Sequence, residues 1–95
     1  MELQPDSSKK HNQAFGTVLL ELRAARGFSQ EKLSFEAGMD RSYISLLERG
    51  HKSPTLDTVF SLCSALDIPF DQLARLLQAR LEELNDARNE RDDVG

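Results

Sequence analysis

The stretch from Gln30 to Arg49, QEKLSFEAGMDRSYISLLER, decides the fold. Its core-forming residues fall into two short groups, Leu33 and Ala37 before Gly38, and Ile44 and Leu47 after Met39. Side chains three or four positions apart share one face of a helix, so each group marks the buried stripe of a short helix. Gly38 supplies the left-handed turn residue between them, a conformation that costs any residue bearing a Cβ. Ser29 and Asp40 stand where each helix needs an oxygen to cap its first amides. Ser34 is small where the second helix must cross the first. With Leu33, Met39 and Ile44 turned inward, Arg41, Ser42, Tyr43 and Ser45 are left pointing outward from the second helix.

Working outward, the same reasoning fills the rest of the chain. Upstream, Phe15, Val18, Leu19 and Leu22 recur at helical spacing, with Asn12 as the expected N-cap and Gly27 just past the end. Downstream, Gly50 ends the second short helix and His51 to Pro54 make a loop. Thr55 caps a further helix whose buried face is expected to hold Leu56, Val59, Phe60, Cys63 and Leu66. Asp67 to Pro69 break the pattern, because the residue before a proline is pushed out of helical geometry. A last helix starts near Phe70 and carries Leu73, Leu77, Leu81 and Leu84. Beyond Asn85 only Ala87 and Val94 are apolar, which predicts fraying. The expected organisation is a flexible arm over 1–11, one domain over 12–84 and a polar tail over 85–95. No strand-like alternation is present, so the fold class is all-α: a compact five-helix domain with an extended C-terminal helix.

Ninety-five residues suit one small domain. No apolar run exceeds three residues, against about 18 for a membrane span. The polar N-terminus does not read as a targeting segment, and one cysteine permits no internal disulfide, which together suggest the cytoplasm. The net charge of −4 is unevenly spread. Residues 9–55 carry eight bases and five acids, whereas residues 56–95 carry four bases and nine acids. Screening makes attraction to phosphate local, over about 10 Å, so a basic first half is compatible with a polyanionic partner.

Two short helices set at a steep angle through a glycine turn make a helix-turn-helix, and the first turns of its second helix are the part that enters a DNA major groove. The residues from about Asn12 to Leu76 resemble the lambda-repressor-like, Cro-type (XRE) helix-turn-helix family. The resemblance is carried by Arg23, the run Gly27 to Gln30, Leu33, Gly38, the run Ile44 to Gly50, Pro54 and the pair Ala65-Leu66. The run Asp40 to Ser45 is similar to the recognition helix of restriction–modification controller proteins. The resemblance implies that Gln30, with Ser29 beside it, contacts a phosphate at a helix N-terminus. Arg41 is the candidate for reading guanine, because its fork meets O6 and N7 together. Ser42 and Ser45 are placed to reach bases or phosphates, and Tyr43 the backbone or a thymine methyl. Arg49, His51, Lys52 and Ser53 follow where the family makes backbone contacts. Arg23 and Glu48 are implied to form a structural ion pair. The sequence departs from many relatives at Leu46, where some carry a polar base-reading residue.

The remaining chemistry-bearing residues have plainer readings. Cys63 lies on an apolar helix face and is expected to be a packed core thiol. His11 and His51 lack partners at metal-ligand spacing, and no nucleophile–base set or phosphate-cradling loop is visible, so neither a metal, a cofactor nor an enzyme is expected. Leu73, Leu77, Leu81 and Leu84 form an apolar stripe that a second copy of the chain would cover. The sequence therefore predicts a homodimeric, sequence-specific regulator that binds double-stranded DNA at an inverted repeat. A restriction–modification controller, an antitoxin-type regulator and a protein-interaction module that has lost DNA binding are the alternatives.

Overall fold

The computed structural model describes the backbone of residues 5–94 and the side chains of residues 9–86. The elements are α1 (Pro5–Ala25), α2 (Gln30–Ala37), α3 (Arg41–Glu48), α4 (Leu56–Leu66) and α5 (Phe70–Val94), with no strand among the described residues. The core is one apolar cluster to which every helix contributes: Phe15, Val18 and Leu19 from α1, Leu33 from α2, Ile44 and Leu47 from α3, and Leu73 from α5. The remaining members, Val59, Leu62, Cys63 and Leu66, come from α4. Burial pushes the Cys63 thiol up, which keeps it protonated and inert.

The turns follow the expected chemistry. The Ser29 hydroxyl accepts the Lys32 N–H at 3.0 Å and caps α2. Gly38 closes it with φ 69°, and its successor's amide, that of Met39, reaches back to the Ser34 carbonyl at 2.9 Å. Asp40 takes the extended N-cap conformation before α3 but makes no side-chain cap bond. Thr55 caps α4 by accepting the Thr58 N–H at 3.1 Å. The end of α4 falls on Asp67, a non-glycine residue at φ 55°, one of the few residue types that tolerates the left-handed region. The carbonyl of Leu66, left without a helical partner there, accepts the Arg26 guanidinium at 2.7 Å.

Three expectations are corrected. Residues 5–11 are helical: α1 starts at Pro5 rather than after an Asn12 cap, and residues 1–4 of the expected arm lie outside the described residues. Proline is at home in the first helical turn, where its missing N–H has no partner to lose. Lys10 on this added turn donates to Asn85 on α5, which holds the extension down. At the other end, α5 runs through the expected fraying point at Asn85 as far as Val94, with no glycine or proline to stop it.

The third correction concerns phase. On α4 the buried residues are Val59, Leu62, Cys63 and Leu66, a stripe spaced 3, 1 and 3. Leu62 is 1% exposed, whereas the expected core residues Leu56 and Phe60 are 69% and 52% exposed. Phe60 sits one residue, about 100°, round the helix from Val59 and leaves the core to meet Phe70 of α5, ring centroids 4.9 Å apart. Phe70 is itself exposed.

The Leu73 to Leu84 stripe divides along its length. Leu73 is buried in the protomer's own core, Leu77 packs against that core, and Leu81 and Leu84 are half-buried. The lengthened α1 runs beside α5, and Arg80 ties the two together by donating to Glu21 at 2.7 Å.

One residue of α1 has a role that the apolar pattern did not disclose. Gly16 lies in mid-helix where α1 crosses the C-terminal end of α3, and a Cβ there would stand 2.4 Å from the Leu47 carbonyl oxygen. The two helices touch backbone to backbone.

Candidate nucleic-acid interface

The site is built on α2 and α3 and held by one buried ion pair. Arg23 of α1 donates its Nε to Glu48 Oε2 at 2.6 Å and its Nη2 to Glu48 Oε1 at 3.0 Å. Its Nη1 donates to the Phe28 carbonyl at 2.8 Å, so one guanidinium fixes α1, the α1–α2 turn and α3 together. The Glu48 side chain is 2% exposed. Its hydrogen bond raises the Arg23 pKa further; burial opposes this and the attraction between the charges adds to it. The expected pairing of Arg23 with Glu48 is present, and a third partner joins it. Gln30 Nε2 donates to Glu48 Oε1 at 2.9 Å.

This contact places the start of α2 beside the C-terminal end of α3. Arg49, His51, Lys52 and Ser53 follow that end and are exposed. Arg49 turns its Nε back toward the Ser45 carbonyl at a long 3.4 Å. At the other end of α3, about 10 Å away over seven residue steps, Arg41 and Ser42 are exposed. Neither Arg41 nor Lys52 pairs with an acid among the described residues. Two cationic side chains thus bracket the helix, each available to an outside partner.

The middle of α3 is more engaged with the protein. Tyr43 is half-buried against the core, and its hydroxyl lies 3.5 Å from Thr58 Oγ1 on the first turn of α4. Ser45 and Leu46 are also half-buried. The outward set is therefore led by Arg41 and Ser42, with Tyr43 and Ser45 at its flank. Ser29 is exposed, but its hydroxyl is occupied as the cap of α2.

Two contributions were not anticipated: the Gln30–Glu48 bond, which needs a third dimension that spacing lacks, and the Thr55–Thr58 hydroxyl pair behind Tyr43. The described residues contain no cluster of three metal-ligating side chains, and no helix long and apolar enough to cross a membrane.

This arrangement, two short helices crossing at a glycine turn with an exposed arginine opening the second, defines a helix-turn-helix protein. The helix-turn-helix family model matches residues 19–73, and the chain belongs to that family, in its XRE-type branch of DNA-binding transcriptional regulators. It is similar to the restriction-modification controller protein C.AhdI from Aeromonas hydrophila, with 45% identity and a TM-score of 0.64 over 65% of this chain and 94% of that one. The control protein C.BamHI from Bacillus amyloliquefaciens is 38% identical over 55 residues, 57% of this chain and 68% of that protein. The clp gene regulator ClgR from Corynebacterium glutamicum has the same fold, with a TM-score of 0.78 and 25% identity over 88% of both chains.

Proposed function

We propose that the chain binds double-stranded DNA sequence-specifically as a homodimer on an inverted repeat and regulates transcription by occupancy, without catalysing a reaction. The observation that carries this is the exposure of Arg41 and Ser42 at the start of α3, with Gln30 and Lys52 at its far end. A helix presented this way puts a bidentate donor at base edges while its flanks hold the phosphates. The bases of residues 9–55 attract the duplex locally. A cytoplasmic protein is the natural setting. The similarity to C.AhdI and C.BamHI favours one biological role, control of a restriction–modification operon, over an antitoxin or a protein-only adaptor.

Arg41 and Lys52 separate reading from positioning. Arg41→Ala is expected to cost about 1–3 kcal/mol on the preferred duplex and less on a scrambled one. Lys52→Ala is expected to weaken both by similar factors and to lower the salt slope by about one unit. Titrations of both variants against both duplexes at two salt concentrations check this. Equal losses for Arg41→Ala on both duplexes would make it a phosphate anchor.

The dimer is proposed to form on a surface next to the stripe expected from the sequence. Since Leu73 and Leu77 turn into the protomer, the exposed apolar side chains nearest them are Leu56, Phe60 and Phe70, while Leu20, Phe35 and Leu76 are exposed as well. Leu56 and Phe70 line a groove of about 280 Å³ together with Phe15, Val59, Leu73 and Leu77, and Phe60 lies against Phe70. Leu73 and Leu77 thus contribute through the groove floor, while Leu81 and Leu84 lie further along α5. Covering a fully exposed side chain of this kind is worth about 1.5–3 kcal/mol, and a self-paired surface counts each of these partly exposed side chains twice. Leu56→Glu combined with Phe60→Glu is expected to give a folded monomer, because both side chains are already exposed in the protomer. Sedimentation at micromolar concentration reads this; an unchanged dimer mass would overturn the assignment.

A further inference from the structure

We propose that Glu48, besides pairing with Arg23, is the positioning residue for the phosphate contact of Gln30. The proposal rests on the DNA-binding reading above. A carboxylate close to a DNA backbone is a liability unless its charge is matched, and here the single charge of Arg23 matches it through two hydrogen bonds, at 2.6 and 3.0 Å. What remains of Glu48 Oε1 is one acceptor position, and Gln30 Nε2 fills it at 2.9 Å.

A primary amide has a donor end and an acceptor end, and only the donor end suits a phosphate. An unrestrained glutamine at the first position of α2 presents either end as its terminal torsion turns. Glu48 removes that freedom. Its buried oxygen accepts one hydrogen of the Gln30 amino group, which seats that group inward and leaves its second hydrogen as the side chain's remaining donor. The carbonyl end cannot take the same seat, since carboxylate and carbonyl are both acceptors. Because Glu48 is 2% exposed and held by Arg23, the restraint is rigid and persists without DNA. The ion pair that fixes helix crossing therefore also sets which way the phosphate donor faces, at no cost in ordering when DNA arrives.

The test is a double-mutant cycle on binding to a random-sequence duplex at low salt, with circular dichroism showing each variant folded at the temperature used. Gln30→Ala is expected to weaken binding about tenfold, the scale of one hydrogen bond to a charged group, with an unchanged salt slope because no charge is lost. Glu48→Gln keeps the shape but accepts from Gln30 less strongly, and is expected to weaken binding several-fold. In the Gln30→Ala background Glu48→Gln is expected to cause no further loss. A merely structural Glu48 would weaken binding equally in both backgrounds, and that additivity would overturn the proposal while leaving DNA binding intact. Should Glu48→Gln not fold, side-chain amide spectra of the wild-type protein decide instead. One Gln30 amide hydrogen is expected to exchange slowly without DNA and to hold its shift when duplex is added, while the other moves. Two freely exchanging hydrogens would overturn the proposal. Failure of the wild-type protein to bind random duplex at all would overturn the DNA-binding reading itself.

Discussion

Replacing Gly16 with alanine is expected to destabilise the protein by about 3 kcal/mol, the upper range for forcing one methyl into a packed site. An ideal Cβ at Gly16 lies 2.4 Å from the Leu47 carbonyl oxygen, 2.6 Å from that of Glu48 and 2.9 Å from the Glu48 carbonyl carbon. All three atoms are backbone, so no side chain can swing aside; α1 and α3 must separate. The sign distinguishes this site from an ordinary one, because glycine to alanine in an unobstructed helix interior stabilises by about 0.5–1 kcal/mol. Thermal unfolding should show a fall of roughly 12–24 °C, at about 4–8 °C per kcal/mol for a domain of this size. Moving the end of α3 that carries Glu48 should also weaken duplex binding. A melting temperature equal to or above the wild type would show that the helices do not meet as described.

Glu48→Ala is expected to cost about 3–5 kcal/mol, the range for deleting one member of a buried ion pair. The loss is of two kinds. Arg23, 16% exposed, is left as a charge without its partner, and three hydrogen bonds to the carboxylate vanish, two from Arg23 and one from Gln30. Against a total stability of about 5–15 kcal/mol, this alone brings the fold near its limit. Arg23→Lys should recover little, since an ammonium cannot reproduce a fork that also reaches the Phe28 carbonyl. The pH sign follows from Arg23: its pKa is raised on folding, so its contribution is complete below the ordinary guanidinium range and is lost only above it. Urea unfolding of Glu48→Ala, Arg23→Lys and the wild type at neutral pH measures the ranking. A loss below 1 kcal/mol for Glu48→Ala would show the pair to be a surface contact.

The parts of the molecule that local chemistry dictates were legible in the sequence. Ser29, Gly38, Thr55 and the break before Pro69 each have one conformational job, and α2 and α4 begin and end where those residues say. The Arg23–Glu48 pair was legible through family resemblance rather than spacing. What escaped depends on contacts between distant elements. The helix over 5–11 has no apolar stripe of its own to announce it, and it packs beside α5, where Lys10 meets Asn85. Phe60 looked like core because it is aromatic and next to Val59, although strict phase assigned that place to Leu62. Gly16 carries only a weak signal: a lone glycine inside a helical pattern costs about 1 kcal/mol against alanine, which points to a packing reason without saying which element packs there. Within the site, the exposure of Arg41 and Ser42 agrees with the outward face read from the sequence. Tyr43 is different, because its partner Thr58 lies 15 positions away on another helix.

The most direct measurement is selection of bound duplexes from a random pool, run in parallel with the wild-type protein and Arg41→Ala. The wild type is predicted to enrich an inverted repeat whose half-sites lie about one helical turn, near 10 base pairs, apart, as two copies of α3 in successive major grooves require. Arg41→Ala is predicted to enrich the same repeat with preference lost at one base pair in each half-site. A folded wild-type protein that leaves the pool unenriched would contradict the claim that α3 reads DNA sequence.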